Sequence, residues 1–240
     1  MCVSRCLSFD EKYMNDKQLV AQHAAKLVSD GMTVGLGTGS TADFFIAELA
    51  RCQAEEGLQI SCVSSSIVSM LKAQELGLSL VAIENLTHLD LYVDGADEVT
   101  PDNTLLKGQG ADLVREKLLA KASEQFIVLV DQSKMVDRIG ANFPIPIEVM
   151  PFACQLVQNS LQQLGGQGGL RKNSKGNGLA VTSYGSLVLD MHFASKPEIA
   201  ELNHLLSATP GVIEHGIFHG LANTVLLAEN GAVLEQKAAD

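Results

Sequence analysis

The feature that most constrains this chain is a recurring order: a short apolar run, a loop of glycine or polar residues, then a helical segment. A helix opening at Asn15 or Asp16 carries Leu19, Val20, His23, Ala24, Leu27 and Val28 on one side and stops at Gly31. The run 32–36 passes through Gly37-Thr38-Gly39-Ser40-Thr41 into a helix over 42–54, stopped by Gly57. The run 58–63 leads through Ser64-Ser65-Ser66 into a helix over 67–76. Further strands are predicted at 78–83, 89–93, near Leu105 and at 126–130, with a helix over 111–122 before the last. Strands separated by helices form a mostly parallel sheet covered on both faces, a Rossmann-like α/β architecture. Ligands of such sheets collect in loops at the carboxyl ends of the strands.

After Gly140 the texture changes. Residues 143–149 hold two prolines in alternation, which predicts an edge or crossing segment. A helix follows from Pro151 to Gly165-Gly166, and the stretches 179–183 and 187–192 flank Tyr184-Gly185 as a hairpin. A helix over 197–207 is stopped by Pro210-Gly211, and the tail 212–228 supplies two more strands. This order predicts a second, small α+β unit of ferredoxin-like type. The expected division is an N-terminal extension at 1–14, a main α/β catalytic domain from 15–140 with 213–240, and the small domain at 141–212.

Composition excludes several functions. With 17 Lys+Arg against 28 Asp+Glu, the net charge of −11 leaves no basic face for nucleic acid or anionic membranes. The longest aliphatic or aromatic run, 126–130, is far too short to cross a bilayer, and the first residues hold no apolar core of signal-peptide length. Cys2, Cys6, Cys52, Cys62 and Cys154 are scattered without a C-x-x-C pair, so reduced thiols and a cytoplasmic location are expected. His215 and His219 fall in an extended stretch, where four residues span ~13 Å, too far for one ion; no metal and no cofactor are expected.

Four loops carry the chemistry. Glycines at 35, 37 and 39 before a helix suit phosphate on backbone amides, or a tight turn capped by Ser40 or Thr41. Ser40 breaks the dinucleotide fingerprint, and no Gly-Lys precedes the hydroxyl as a Walker loop requires. Asp94-Gly95-Ala96-Asp97-Glu98 places three carboxylates at one strand end. Their mutual repulsion needs relief from solvent, a cation or a substrate, which leaves a solvated turn, a magnesium site or acid–base catalysis open. In Lys107-Gly108-Gln109-Gly110-Ala111-Asp112, followed by Arg115-Glu116-Lys117, the residues Asp112, Arg115 and Glu116 share one helix face. That face is either solvated or functional. Lys134, in Asp131-Gln132-Ser133-Lys134, either holds an anion or lies on the surface.

Taken together and in this order, these segments resemble the signature loops of type A ribose-5-phosphate isomerases, as do 144–149 and Pro210-Gly211-Val212. The resemblance runs from about Asn15 to the C-terminus. It implies a metal-independent aldose–ketose isomerase that interconverts D-ribose 5-phosphate and D-ribulose 5-phosphate through a cis-enediolate, as a homodimer or homotetramer. It further implies that Glu116 is the general base, that Asp94 and Asp97 handle hydroxyl protons and ring opening, and that Lys107 stabilises the oxyanion. Thr38, Gly39, Ser40, Thr41, Gly95, Ala96, Gly108, Gln109, Gly110 and Lys134 would complete the substrate site. Gln109 stands where the family often has a third glycine, and Asp112 replaces a small residue one turn before Glu116, which is expected to raise the Glu116 pKa. Rival readings are a sugar-phosphate deaminase or lactonase on a related sheet, which the Lys107…Glu116 spacing disfavours, and a sugar-phosphate sensor, which would not need Glu116. The resemblance predicts turnover of ribose 5-phosphate that persists in EDTA; activity abolished by the chelator overturns it.

Overall fold

The computed structural model describes residues 15–110, 112–194 and 197–238, so the expected extension at 1–14 and the helix start at Ala111 lie outside the described residues. The first half runs α1 (Asp16–Ala25), β1 (Thr33–Leu36), α2 (Ser40–Glu56), β2 (Ser61–Ser64), α3 (Ile67–Glu75), β3 (Leu89–Gly95), β4 (Glu98–Val99), β5 (Leu105–Leu106), α4 (Leu113–Ala122) and β6 (Ser123–Asp131). The second half runs β7 (Ile145–Val149), α5 (Cys154–Gln163), β8 (Gln167–Leu170), β9 (Leu187–His192), α6 (Ile199–Ala208), β10 (Val212–His215), β11 (Ile217–Phe218), β12 (Thr224–Glu229) and β13 (Ala232–Lys237). Among the described residues no helix is long and apolar enough to cross a membrane.

Six strands form the main sheet in the order β13-β12-β6-β3-β1-β2, parallel except for β13. At the end of β1, Leu36 stands beside Ser64 of β2 on one side and Val93 of β3 on the other. The chain thus leaves β1 in both directions, and a crevice opens outside the carboxyl ends of β1 and β3. On one face, Phe45, Ile46 and Leu49 of α2 and Val20 and Ala24 of α1 pack on Val34, Leu36, Leu91 and Val93. On the other, Leu113 and Leu119 of α4 pack on Tyr92, Phe126, Val128 and Val225. Each fully buried large side chain contributes about 1.5–3 kcal/mol.

The second sheet is antiparallel, β10-β7-β9-β8, with Val157 and Leu161 of α5 and Leu202 and Leu206 of α6 on one core with Ile147, Leu189 and Met191. Its order along the chain and across the sheet is the expected ferredoxin-like arrangement. A three-stranded sheet, β11-β5-β4, stitches the two together. Because side chains alternate along a strand, Leu105 and Phe218 enter the main core while Leu106 and Ile217 enter the second. Lys107 follows this seam directly.

Four expectations are corrected. Residues 78–83 form no strand beyond a bridge from Leu80 to Cys62, because Val81 faces solvent and a 3₁₀ turn begins at Ile83. The proline-bearing β7 is an inner strand, not an edge. Pro146 is tolerated because its carbonyl accepts from the Gly216 amide; its missing N–H faces that same side, where β10 has already ended, and costs no bond to β9. The expected partner of β9 at 179–183 makes only a bridge from Val181 to Leu187, and β9 pairs instead with β8. Glycines hid β8: a Cβ on Gly168 would lie 1.9 Å from the Asp190 carbonyl oxygen, so only glycine allows this approach. The stretch 212–228 carries β10, β11 and nearly all of β12 rather than two strands, with β13 beyond it, and β10 pairs in the second sheet through His215.

The acidic motif is resolved partly in the fold. Glu98 is fully buried, and its carboxylate accepts from the amides of Gly140 (2.6 Å), Asn142 (2.6 Å) and Phe143 (3.0 Å), pinning the loop between the two sheets. Glu98→Ala orphans three donors and should cost ~2–4 kcal/mol, lowering Tm by roughly 5–10 °C in a thermal melt. A shift under about 2 °C contradicts this role.

Candidate active site

The glycine loop owes its shape to Asp94. A Cβ on Gly37 would lie 2.2 Å from Asp94 Oδ1 and 2.6 Å from its Cα, so this close approach demands glycine. The helix cap is Gly39, at φ 105°, rather than Ser40 or Thr41, and Ser40 opens α2. Beneath the loop, hydroxyls fix its backbone. Ser69 donates to the Gly37 carbonyl at 2.7 Å, and Ser65 and Thr38 share a hydrogen bond of 2.8 Å. The result is a helix N-terminus, with its unpaired first amides, at which Gly39, Ser40 and Thr41 line a cavity of about 250 Å³.

Asp94 itself does not line that cavity. It is fully buried, and both carboxylate oxygens are saturated: Oδ1 accepts from the amides of Thr38 (3.0 Å) and Gly95 (2.7 Å), Oδ2 from Tyr92 Oη (2.5 Å) and Lys107 Nζ (2.8 Å). Stacking of Tyr92 on Phe126, with centroids 5.0 Å apart, holds the phenol in place. The structure places Asp94, expected among the ligand-facing residues, beneath the glycine loop and off the cavity lining. Asp97 does line the cavity, and burial pushes its carboxyl up against the pull of Lys107.

Lys107 Nζ also donates to the Gly95 carbonyl at 2.7 Å, so two of its three donors are committed and one remains. Burial works to lower its pKa, but the Asp94 and Glu116 carboxylates outweigh that and hold it raised and cationic. Glu116 Oε2 lies 3.5 Å from Lys107 Nζ and is buried without a hydrogen-bond partner. Burial first, then Asp94, Asp112 and Asp97, push its carboxyl up to about 7, with Lys107 opposing. The expected influence of Asp112 thus has the expected sign.

The remaining predicted residues, Thr38–Thr41, Gly95, Ala96, Gly108, Gln109, Gly110 and Lys134, come together on this one cavity. Sequence reasoning missed Lys17, in the first turn of α1, whose Nζ donates to Ser40 Oγ at 2.7 Å. No local pattern marks it, because its importance lies in a neighbour 23 residues away. Among the described residues, one group could hold a metal ion: His88, Asp90 and Glu124, at the start of β3 and β6, at the opposite end of the sheet.

Residues 61–231 match the family model of ribose 5-phosphate isomerase A (phosphoriboisomerase A). The chain belongs to this family. It is 42% identical over 221 residues to the ribose-5-phosphate isomerase A of Thermosynechococcus vestitus, covering 92% of this chain and 94% of that one. It is likewise 42% identical over 216 residues to that of Methanothermobacter thermautotrophicus, covering 90% and 95%. The ribose 5-phosphate isomerase A structure from Methanocaldococcus jannaschii superposes with a TM-score of 0.87 at 36% identity, covering 92% of this chain and 98% of that one. A D-ribose-5-phosphate isomerase solved in complex with phospho-erythronic acid gives 0.89 at 34%, covering 93% and 100%.

The buried Glu116 makes a stability prediction. The native state keeps its proton between the ordinary carboxylate pKa of 4.5 and about 7, so stability falls as pH rises through that window. Glu116→Gln should therefore melt several degrees above the parent at pH 8, the gap closing below pH 4.5. A lower Tm for the variant at pH 8 refutes this.

Proposed function

We propose that this member of the family interconverts D-ribose 5-phosphate and D-ribulose 5-phosphate, with Glu116 moving the proton between C2 and C1. One observation carries the assignment: an unpartnered, buried carboxylate oxygen stands 3.5 Å from a buried ammonium in a cavity that also holds a helix N-terminus. In the open-chain aldose, the ionised Glu116 removes the C2 proton and the electron pair moves to the C1 carbonyl oxygen, giving an enediolate. The free donor of Lys107 stabilises the growing oxyanion, the interaction that makes a C–H beside a carbonyl acidic enough for a carboxylate. Asp97, whose raised pKa suits proton exchange, carries the hydroxyl proton between O2 and O1. Protonated Glu116 then returns its proton to C1, and the ketose results.

Asp94, sealed from the cavity, contributes through Lys107 and the glycine loop rather than by touching substrate. The phosphate rests on the first amides of α2, with Ser40, Thr41, Lys17 and Lys134 around it. Lys134 is steadied by the Phe143 ring, 6.0 Å from its Nζ. The phospho-erythronic acid held by the related structure, itself a phosphorylated sugar acid, supports a phosphosugar as ligand. A cytoplasmic homo-oligomer completes the proposal. The free thiols of Cys52, Cys62 and Cys154 suit a reducing compartment, and the exposed Ile67, Val68 and Leu71 on α3 suit a partner surface.

Glu116→Gln should lower kcat by about 10³-fold while KM stays within about threefold. For the parent, kcat/KM should rise with pH through about 7 as Glu116 ionises. Full turnover in the variant overturns the assignment of the base.

A further inference from the structure

The loop that follows Lys107 is rich in glycine. Gly108 sits at φ 100°, and Gly108 and Gly110 flank Gln109, so the intervening peptide groups can rotate at little steric cost. Contacts from outside such a loop therefore bear on which orientation its peptides take. Here the fixing group comes from the second sheet. Arg171, immediately after β8, donates from Nη1 to the carbonyl of Gly108 at 3.1 Å and to that of Gln109 at 3.2 Å. The guanidinium is itself held by Asp190 of β9, through Nε at 2.8 Å and Nη2 at 2.6 Å.

A trans peptide is planar, with its N–H pointing opposite to its C=O. Two successive carbonyls turned toward Arg171 therefore turn the amides of Gln109 and Gly110 the other way, toward the cavity that both residues line. The Gln109 amide indeed points at Asp97 Oδ2, 3.4 Å away. We propose that Arg171, oriented by Asp190, is a positioning residue for the isomerisation: it locks two consecutive peptide groups so that their N–H donors face the oxygens of the reacting carbons beside Lys107. Its fork of donors suits two carbonyls and one carboxylate at once, which the single ammonium of a lysine cannot match. A second tether from the same sheet, Ser183 Oγ to Asp112 Oδ1 at 2.8 Å, holds the far end of the loop but leaves these two peptides free.

The inference rests on the isomerase reading, and steady-state isomerisation of ribose 5-phosphate by the intact protein tests both separately. If the parent does not turn over, that reading fails whatever Arg171 does. With an active parent, Arg171→Lys should stay folded by thermal melt, lose kcat by about 10–100-fold and keep KM within about threefold, because the misaligned donors act on the developing oxyanion. Asp190→Asn should lose less in the same direction, and millimolar guanidinium should restore part of the kcat of Arg171→Ala. A kcat for Arg171→Lys within twofold of the parent overturns the proposal. So does a loss confined to KM, or an Arg171→Ala whose folding is intact and whose kcat guanidinium leaves unchanged.

Discussion

The active site depends on one buried carboxylate. Asp94 is next to last in β3, beside the end of β1 where the strand order reverses, and its four hydrogen bonds reach the glycine loop, its own following amide, Tyr92 and Lys107. A buried charge is tolerated only when every lone pair finds a donor, and here the donors are the parts that must be aligned. The close contact that excludes a side chain at Gly37 brings the glycine loop down onto the same carboxylate. Loop, lysine and strand end therefore form one rigid unit before any substrate arrives.

The second sheet takes part in that unit rather than merely covering it. The short β11-β5-β4 sheet sends alternate side chains into both cores, so Lys107 leaves a seam fixed from two sides. Arg171 and Ser183 then reach the loop beyond it at two points. The loop after Lys107 is thus tied to the antiparallel sheet beside it.

Electrostatics follow from burial more than from net charge. A protein of net charge −11 offers an anionic substrate no long-range attraction. In the proposed function that attraction is local, since Lys17, Lys134 and the start of α2 line one cavity. The same burial that raises Glu116 into the neutral range would lower Lys107, except that Asp94 and Glu116 stand beside it. Lys107 thus stays cationic while Glu116 titrates near neutrality, and neither has its bonding capacity exhausted.

Much of this was legible in the sequence, because apolar runs, glycine breaks and helical periodicity are local properties. They placed the parallel sheet, the four loops at its carboxyl ends and the resemblance that named Glu116, Lys107 and Lys134. Strands disguised by glycine or proline were less legible: β8 and the inner position of β7 depend on a neighbour's backbone, which no single segment reveals. Partnerships were not legible at all. Three acidic residues in one motif look alike in sequence, yet Asp94 is sealed among donors, Asp97 faces the cavity and Glu98 binds three amides of a distant loop. Lys17 meets Ser40, and Arg171 meets Gly108 and Gln109, only because separate elements converge. The sequence alone determined which chemistry was present and at which strand ends; the tertiary structure decided which groups keep a free bond for the substrate, since that depends on neighbours far away along the chain.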